Sequence, residues 1–295
     1  MTSEDFTVAF HIGAHKTATS HLQRSLLSAA DALAEAGVRY YGPEYFRLPG
    51  RSINALFGSN EAERPRAPRR PVEDQLRLMR KGAQRLVLSE ENFVGVLNSP
   101  RRHALTQRYP NAAPRIAALA ATLGREIDVF LSVRRPTAFI NSAYCQMLMG
   151  GRVMPMARYK EINPLATVDW LDLVTRLRDT PGVGALTVWR YEDYAHLFPE
   201  VCRHMVGAAH ADLVHPLTRR IHVGLSSPAV AEVLHRHADH DAKDLGYGAR
   251  RLLPVEDGYP PFDGFDAVAH AAGDAGYAAQ MAAIAAMDNV RFLQP

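Results

Sequence analysis

Short β-prone runs alternate with helix-periodic segments over much of the 295-residue chain, and this alternation restricts the fold more than any other feature. Phe6 to Ile12 (FTVAFHI) is a strand-like run that stops at Gly13. From Ser20 the apolar residues Leu22, Leu26, Ala29, Ala30 and Leu33 keep helical spacing until Gly37 supplies a C-cap. The grammar repeats. Arg85 to Ser89 reads as a strand, Pro114 to Leu123 as a helix closed by Gly124, and Ile127 to Val133 as a strand. Pro136 to about Gly150 then reads as a helix, and Ala185 to Trp189 as a strand after a helix around Trp170 to Leu177. Strands separated by helices require right-handed crossovers, so the predicted class is α/β: a mostly parallel central sheet with helices on both faces and a helical C-terminal portion.

Two stretches break the pattern. Pro49 to Pro71 contains RPRAPRRP and no periodicity, which predicts a mobile loop at about residues 49–71, inside a domain because an incomplete sheet lies on each side. From about Leu252 the chain passes through PVEDGYPPFDGF into the Ala-rich run Ala267 to Ala286, read as a helix packed through small residues. A single domain over residues 1–295 is expected. Lys plus Arg exceed Asp plus Glu by only 34 to 31, a balance too even for wrapping nucleic acid or coating an anionic membrane. Cys145 and Cys202 lie far apart without metal-ligand spacing, which suits buried thiols in a reducing compartment. The acidic start has no leader pattern and no apolar run reaches membrane-spanning length, so a cytoplasmic protein without integral membrane contact is expected.

In an α/β sheet, ligands bind beyond the carboxyl ends of the strands. The first strand delivers Gly13-Ala14-His15-Lys16-Thr17-Ala18-Thr19-Ser20 to that edge just as a helix begins. The chemistry of such a segment is anion binding: glycine permits the turn, successive amides and the positive end of the helix face the anion, and hydroxyls add donors. Lys16, one of four lysines in the chain, adds a point charge. The spacing G-x-x-K-T lacks the four-residue spacer of a Walker A loop, and Thr and Ser here also suit plain helix capping.

The segment HIGAHKTATSHLQ resembles the 5′-phosphosulfate-binding loop of the sulfotransferases that use 3′-phosphoadenosine-5′-phosphosulfate (PAPS), usually close to H-I-G-x-x-K-T-G-T-T-x-L-Q. Ala18 replaces the customary glycine, adding a methyl where the backbone would lie close to phosphate, and Ser20 replaces the second threonine. A second match follows the strand Ile127 to Val133, where Arg134 and Ser142, eight residues apart, resemble the family's 3′-phosphate site. Trp189-Arg190-Tyr191-Glu192-Asp193 is similar to the family's strand-end R-Y-E-D, with Tyr191 near the adenine, and Val223-Gly224-Leu225-Ser226 is similar to a later segment but equally reads as a helix cap before Pro228.

These resemblances, from about residue 9 to residue 228, imply a three-layer sandwich like that of the P-loop NTPases. They imply transfer of a sulfuryl group from PAPS to a hydroxyl or amine of a carbohydrate, lipid or small-molecule acceptor, leaving 3′-phosphoadenosine-5′-phosphate (PAP), without a metal. His15, Lys16, Thr17, Ala18, Thr19, Ser20, Arg134, Ser142 and Tyr191 would surround the nucleotide, with Lys16 stabilising the leaving phosphate. Ser89-Glu90-Glu91-Asn92-Phe93 resembles the S-S-E-N-F run of bacterial members and places Glu91 on the family carboxylate, the acceptor's base. Crowding by Glu90 and partial burial are expected to raise its pKa, and Glu90, His15 and His21 remain alternatives for the base.

Two other readings stay open: a P-loop-like small-molecule kinase using ATP and Mg²⁺, with Glu90 or Glu91 near the metal, and a catalytically silent nucleotide-binding protein. The acceptor is not named by the sequence. Arg64, Arg66, Arg69 and Arg70 form either a solvated loop or a receiver for an anionic glycan, and Met147, Met149, Met154 and Met156 form either core or an adaptable apolar acceptor pocket. His235 to Asp241 reads as a polar helix face, since only pairs such as His237 and Asp241 have facing spacing.

Overall fold

Six strands pair side by side, each parallel to its neighbours, in the order β2-β3-β1-β4-β5-β6. They are β1 (Thr7–Gly13), β2 (Val38–Tyr41), β3 (Arg85–Ser89), β4 (Ile127–Val133), β5 (Val183–Arg190) and β6 (Val290–Leu293). The computed structural model describes residues 6–58, 68, 70–99, 103–218, 224–237 and 242–295. A sheet of this kind is covered on both faces, which is why β1 reads as an almost unbroken apolar run in which only Thr7 is exposed. Side-chain alternation divides the run. Val8, Phe10 and Ile12 join Leu86, Leu88 and Leu131 in one core, while Ala9 joins Val87, Phe130 and Trp189 in the other.

The first core is closed by the helices Ala112–Leu123, Pro136–Met149 and Trp170–Arg178, and the second by Thr19–Ser28, Ala30–Glu35 and Tyr194–Val206. The three-layer α/β sandwich is therefore present. Leu22 and Leu26, fully buried from the helix after β1, each contribute roughly 1.5–3 kcal/mol by leaving water. From central β1 the chain moves outward to β2, returns through β3 and then crosses to the opposite side as β4. The loop after β1 thus opens where the strand order reverses, flanked by the ends of β3 and β4.

The expected parallel sheet stands, every pairing in it being parallel. Several other expectations need correction. The helical run from Ser20 to Gly37 is two helices, broken at Ala29, whose backbone (φ −95°, ψ 1°) leaves the helical region. Ser28 Oγ donates to the Arg24 carbonyl there, a local bond that competes with the helical ladder. The chain gains two unforeseen strands, β2 and β6, and the Ala-rich helix Ala267–Ala285 leads into β6 rather than ending the fold. The stretch expected as a loop from 49 to 71 contains a helix, Ile53–Phe57, capped by Ser52, whose Ile53, Leu56 and Phe57 are core residues. Residues 59–67 and 69, with Arg64, Arg66 and Arg69, lie outside the described residues. Among the described residues no helix is long and apolar enough to cross a membrane, and Cys145 and Cys202 are both free and buried.

Candidate functional site

The loop after β1 is shaped by three positive φ angles in six residues: Gly13 (φ +92°), Lys16 (φ +62°) and Ala18 (φ +64°). Gly13 is needed for space as well as for conformation, since a Cβ there would lie 2.9 Å from Glu91 Cβ. Ala18 takes the left-handed position just before the helix Thr19–Ser28, without a side-chain cap. The position demands positive φ, which costs a non-glycine side chain roughly 1–2 kcal/mol. Among the described residues the amides of Lys16 to Ser20 donate to no backbone carbonyl. Alternating left- and right-handed backbone that leaves consecutive N–H groups free forms an anion-binding concavity.

These amides adjoin a cavity of about 400 Å³. Lys16, Ala18, Thr19, Ser20, Arg134, Ser142 and Tyr191 line it, as do His15 and Glu91. The sequence-predicted residues are thus brought together, with one exception. Thr17 does not line the cavity; its Oγ1 donates to the Ala14 carbonyl at 2.6 Å and it is buried. Of the methionine run, only Met149 reaches this cavity, while Met147 is core.

Three further lining residues, Lys243, Tyr247 and Arg250, come from the helix Ala242–Leu252. Their spacing at i, i+4 and i+7 is the signal that could have found them, because it places all three on one helical face. Gly246 allows this helix to approach closely, since a Cβ there would lie 2.9 Å from Met149 Cα.

The cavity is electropositive. Burial, reinforced by the neighbouring Arg134 charge, pushes the Lys16 pKa down to about 8. Burial also lowers that of Arg134, whose Nη1 donates to the Lys16 carbonyl at 2.8 Å and whose guanidinium lies 4.4 Å from the Tyr191 ring centroid. Arg134 therefore braces the loop as well as facing the cavity, and its Nε is buried without a hydrogen-bond partner.

Glu91 stands opposite this charge. Gln23 Nε2 donates to its Oε2 at 2.8 Å, and Arg47 Nη2 donates to its Oε1 at 2.8 Å. The same Gln23 nitrogen also reaches Ser89 Oγ (3.1 Å), which in turn bonds His11 Nδ1 (2.8 Å), so a buried chain runs from the sheet to the carboxylate. Burial alone pushes the Glu91 carboxyl up, but the Gln23 hydrogen bond and the Arg47 charge outweigh it and the net shift is downward. This overturns the expected rise. The reason is Arg47, which the sequence did not connect with the site: it spans both carboxylates, holding Glu90 through Nε and Nη2.

The histidines are committed elsewhere. His15 Nε2 faces the Asn92 Oδ1 acceptor at 3.1 Å, and its Nδ1 lies 2.9 Å from Tyr109 Oη. An amide oxygen only accepts, so Nε2 carries the proton and Nδ1 accepts from the phenol. His21 repeats the arrangement with the Leu217 carbonyl and Tyr194 Oη. Of the two carboxylates, Glu91 shares the cavity wall with Lys16, whereas Glu90 lines a second, larger cavity of about 930 Å³.

Other motifs resolve simply. Ser226 caps the helix Ser227–Arg236 through the Ala229 amide, while Val223 and Asp241 lie outside the described residues. No cluster of three or more His, Cys, Asp or Glu able to hold a metal occurs among the described residues.

Comparison with protein-family models and with curated proteins finds no match. Among solved structures, the crystal structure of a sulfotransferase from Alicyclobacillus acidocaldarius aligns with 83% of this chain and 94% of that chain, at 16% sequence identity and a TM-score of 0.40.

Proposed function

We propose that the chain is a PAPS-dependent sulfotransferase acting on a hydroxyl or amine. One observation carries the reading: the open amides after β1, Lys16, Arg134, Ser142 and the Glu91 carboxylate converge on one cavity, although they come from β1, β3 and β4 and the segments that follow them. In this reading Lys16 and the loop amides hold the phosphosulfate, Arg134 and Ser142 hold the 3′-phosphate, and Tyr191 lies beside the adenine with Arg134 already stacked on it. The rigid guanidinium fork suits a phosphate, and its contact with the Lys16 carbonyl links the two ends of the nucleotide site.

Transfer breaks the bond from sulfur to the bridging phosphate oxygen and forms one from sulfur to the acceptor oxygen or nitrogen. The acceptor's proton passes to the Glu91 carboxylate, and the charge left on the departing phosphate is met by Lys16 and the amides. Such reactions depend chiefly on positioning and electrostatic stabilisation. Both Glu91 oxygens already accept from Gln23 and Arg47, which suits an oriented base better than a metal ligand.

The test is calorimetric binding of PAP and of adenosine 5′-phosphate, paired with consumption of labelled PAPS in the presence of chelator and an acceptor panel. PAP is expected to bind at least about tenfold tighter, since one phosphate on a charged site contributes on the order of 1–3 kcal/mol. Ser142→Ala should narrow that preference. Equal binding of both nucleotides, or phosphoryl transfer from ATP that requires Mg²⁺, overturns the proposal, and tight PAP binding without transfer to any acceptor identifies a silent nucleotide-binding protein.

A further inference from the structure

Two consecutive carboxylates follow β3, and one arginine holds both. The Glu90 and Glu91 side chains are 9% and 12% exposed, while that of Arg47, the residue that ends the short helix Pro43–Phe46, is 49% exposed. The contacts are unequal. Arg47 Nε donates to Glu90 Oε2 at 3.1 Å and Nη2 to Glu90 Oε1 at 2.9 Å, a parallel pair that fixes the plane of the guanidinium. The 2.8 Å bond to Glu91 Oε1 comes from the same Nη2. Glu90 therefore takes the rigid fork, and Glu91 takes an N–H that the fork leaves over.

Glu90 is itself fixed by the backbone. Its amide donates to the His11 carbonyl at 3.2 Å, and its Oε1 accepts from the Asn92 amide at 3.0 Å, capping the tight turn Glu91–Val94. The direction of this carboxylate is thus set independently of Arg47. Glu90 lines the second cavity rather than the nucleotide cavity, whereas Arg47 lines both. Glu91 is gripped from two sides, by Gln23 and by Arg47. The other ionisable groups that face it, besides Glu90, are His11 of β1, His15 and Lys16 of the loop, and the phenols of Tyr40 and Tyr109.

We propose that Glu90 and Arg47 act as a positioning pair: Glu90 fixes the guanidinium, and the guanidinium holds the Glu91 carboxylate at the wall of the nucleotide cavity. The inference rests on the proposed function for the role of Glu91 as base, but the pair itself does not. The sign of one substitution separates such a pair from a simple cluster of charges. Neutralising Glu90 removes a like charge from beside Glu91, which by itself favours the ionised form of Glu91. Loosening Arg47 does the opposite, because the cation that favours that form loses its anchor. A glutamine at position 90 keeps one acceptor and turns a donor toward the guanidinium, which breaks the fork.

The experiment is an NMR titration of the full chain, without nucleotide, with the glutamate carboxyl carbons labelled and the spectrum followed from neutral pH down to acid unfolding. Glu91→Gln identifies the resonance. Arg47→Ala is expected to move protonation of Glu91 to higher pH, Glu90→Gln to move it the same way by less, and the double variant to move it no further than Arg47→Ala. Arg47 is half exposed and Glu90→Gln is nearly isosteric, so melting temperatures should stay close to that of the parent chain. If Arg47→Ala unfolds, Arg47→Lys takes its place: it keeps a charge but lacks the fork, and a smaller upward displacement is expected. A downward or absent displacement in Glu90→Gln, or an unchanged titration on removing Arg47, overturns the inference. The acid limb of kcat/KM for PAPS consumption should follow the same order. PAPS consumption together with a downward displacement in Glu90→Gln removes the inference and leaves the proposed function standing. An upward displacement in a chain that neither binds PAP nor consumes PAPS supports the pair and removes the proposed function.

Discussion

Arginine is used in opposite ways at the two ends of the same sheet. At the amino ends of the strands, Arg85 donates from Nε to the Met205 carbonyl, from Nη1 to Thr7 Oγ1, and from Nη2 to Asp128 Oδ2 and the His204 carbonyl. The guanidinium thereby joins β1, β3 and β4 to the helix Tyr194–Val206, with its charge met by a carboxylate. At the carboxyl ends, Arg134 has one carbonyl and one aromatic ring, an unpartnered Nε, and Lys16 as a like-charged neighbour. The backbone there also carries two non-glycine residues at positive φ. A cation whose charge is met by an ion pair serves stability, whereas buried cations without an ion pair among the described residues suit a ligand's charge.

The sharpest way to break this contrast is to remove one cation from each end. Lys16→Ala should reduce sulfuryl transfer by about 100–1,000-fold, the usual loss of a donor to developing charge, with little change in melting temperature. Near-normal turnover, or early melting, would place Lys16 with the structural cations.

Arg85→Ala should do the reverse, lowering unfolding free energy by about 2 kcal/mol, as for lost hydrogen bonds to a charged group, while PAP affinity stays the same. Urea denaturation with and without PAP reads both quantities, and a fall in affinity larger than the fall in stability would erase the distinction between the two ends.

Proton linkage sharpens the comparison further. Lys16 is charged below its pKa of about 8 and neutral above it, so PAP affinity should fall as pH rises through that value. A drop on the order of tenfold is expected from about pH 7 to about pH 9 if only the charged form binds. Lys16→Met should flatten the profile. Affinity that rises over the same interval would contradict the assigned charge state.

The smallest effect concerns backbone strain. Ala18→Gly should raise stability by about 0.5 kcal/mol, because relief of the left-handed conformation exceeds the entropy that glycine adds to the unfolded chain. Destabilisation in the same urea experiment would show that the turn is unstrained.

The central strands β1, β3, β4 and β5 were legible because strands buried on both faces must be apolar throughout, and glycine or proline marks their ends. The edge strands β2 and β6 were not. Each has four residues, VRYY and VRFL, and such short runs depend on pairing with a neighbour more than on any local pattern. In the site, residues on the loops after β1 and β4 could be read because one strand end delivers each group. The environment of Glu91 could not. Its protonation depends on Arg47, from a segment far away in the chain that carries no motif, and on the direction Gln23 takes from the next helix. Thr17 shows the same limit at short range: two residues before Thr19, which lines the cavity, its own hydroxyl is spent on the turn.

The chain from His11 through Ser89 and Gln23 to Glu91 has a further consequence, for behaviour in acid. His11 is wholly enclosed, stacked near Trp189, and burial lowers its pKa from 6.5 to about 4 despite the opposing influence of Glu91. The unfolded chain therefore takes up a proton that the folded chain refuses. Stability from this group is complete above 6.5 and declines as pH falls from there toward about 4. The Glu91 carboxyl is held below its ordinary value by Gln23 and Arg47. The support beneath the carboxylate thus begins to weaken well above the range in which that carboxyl takes up a proton, so acid acts first on the structure at the centre of the sheet and only then on the proposed base.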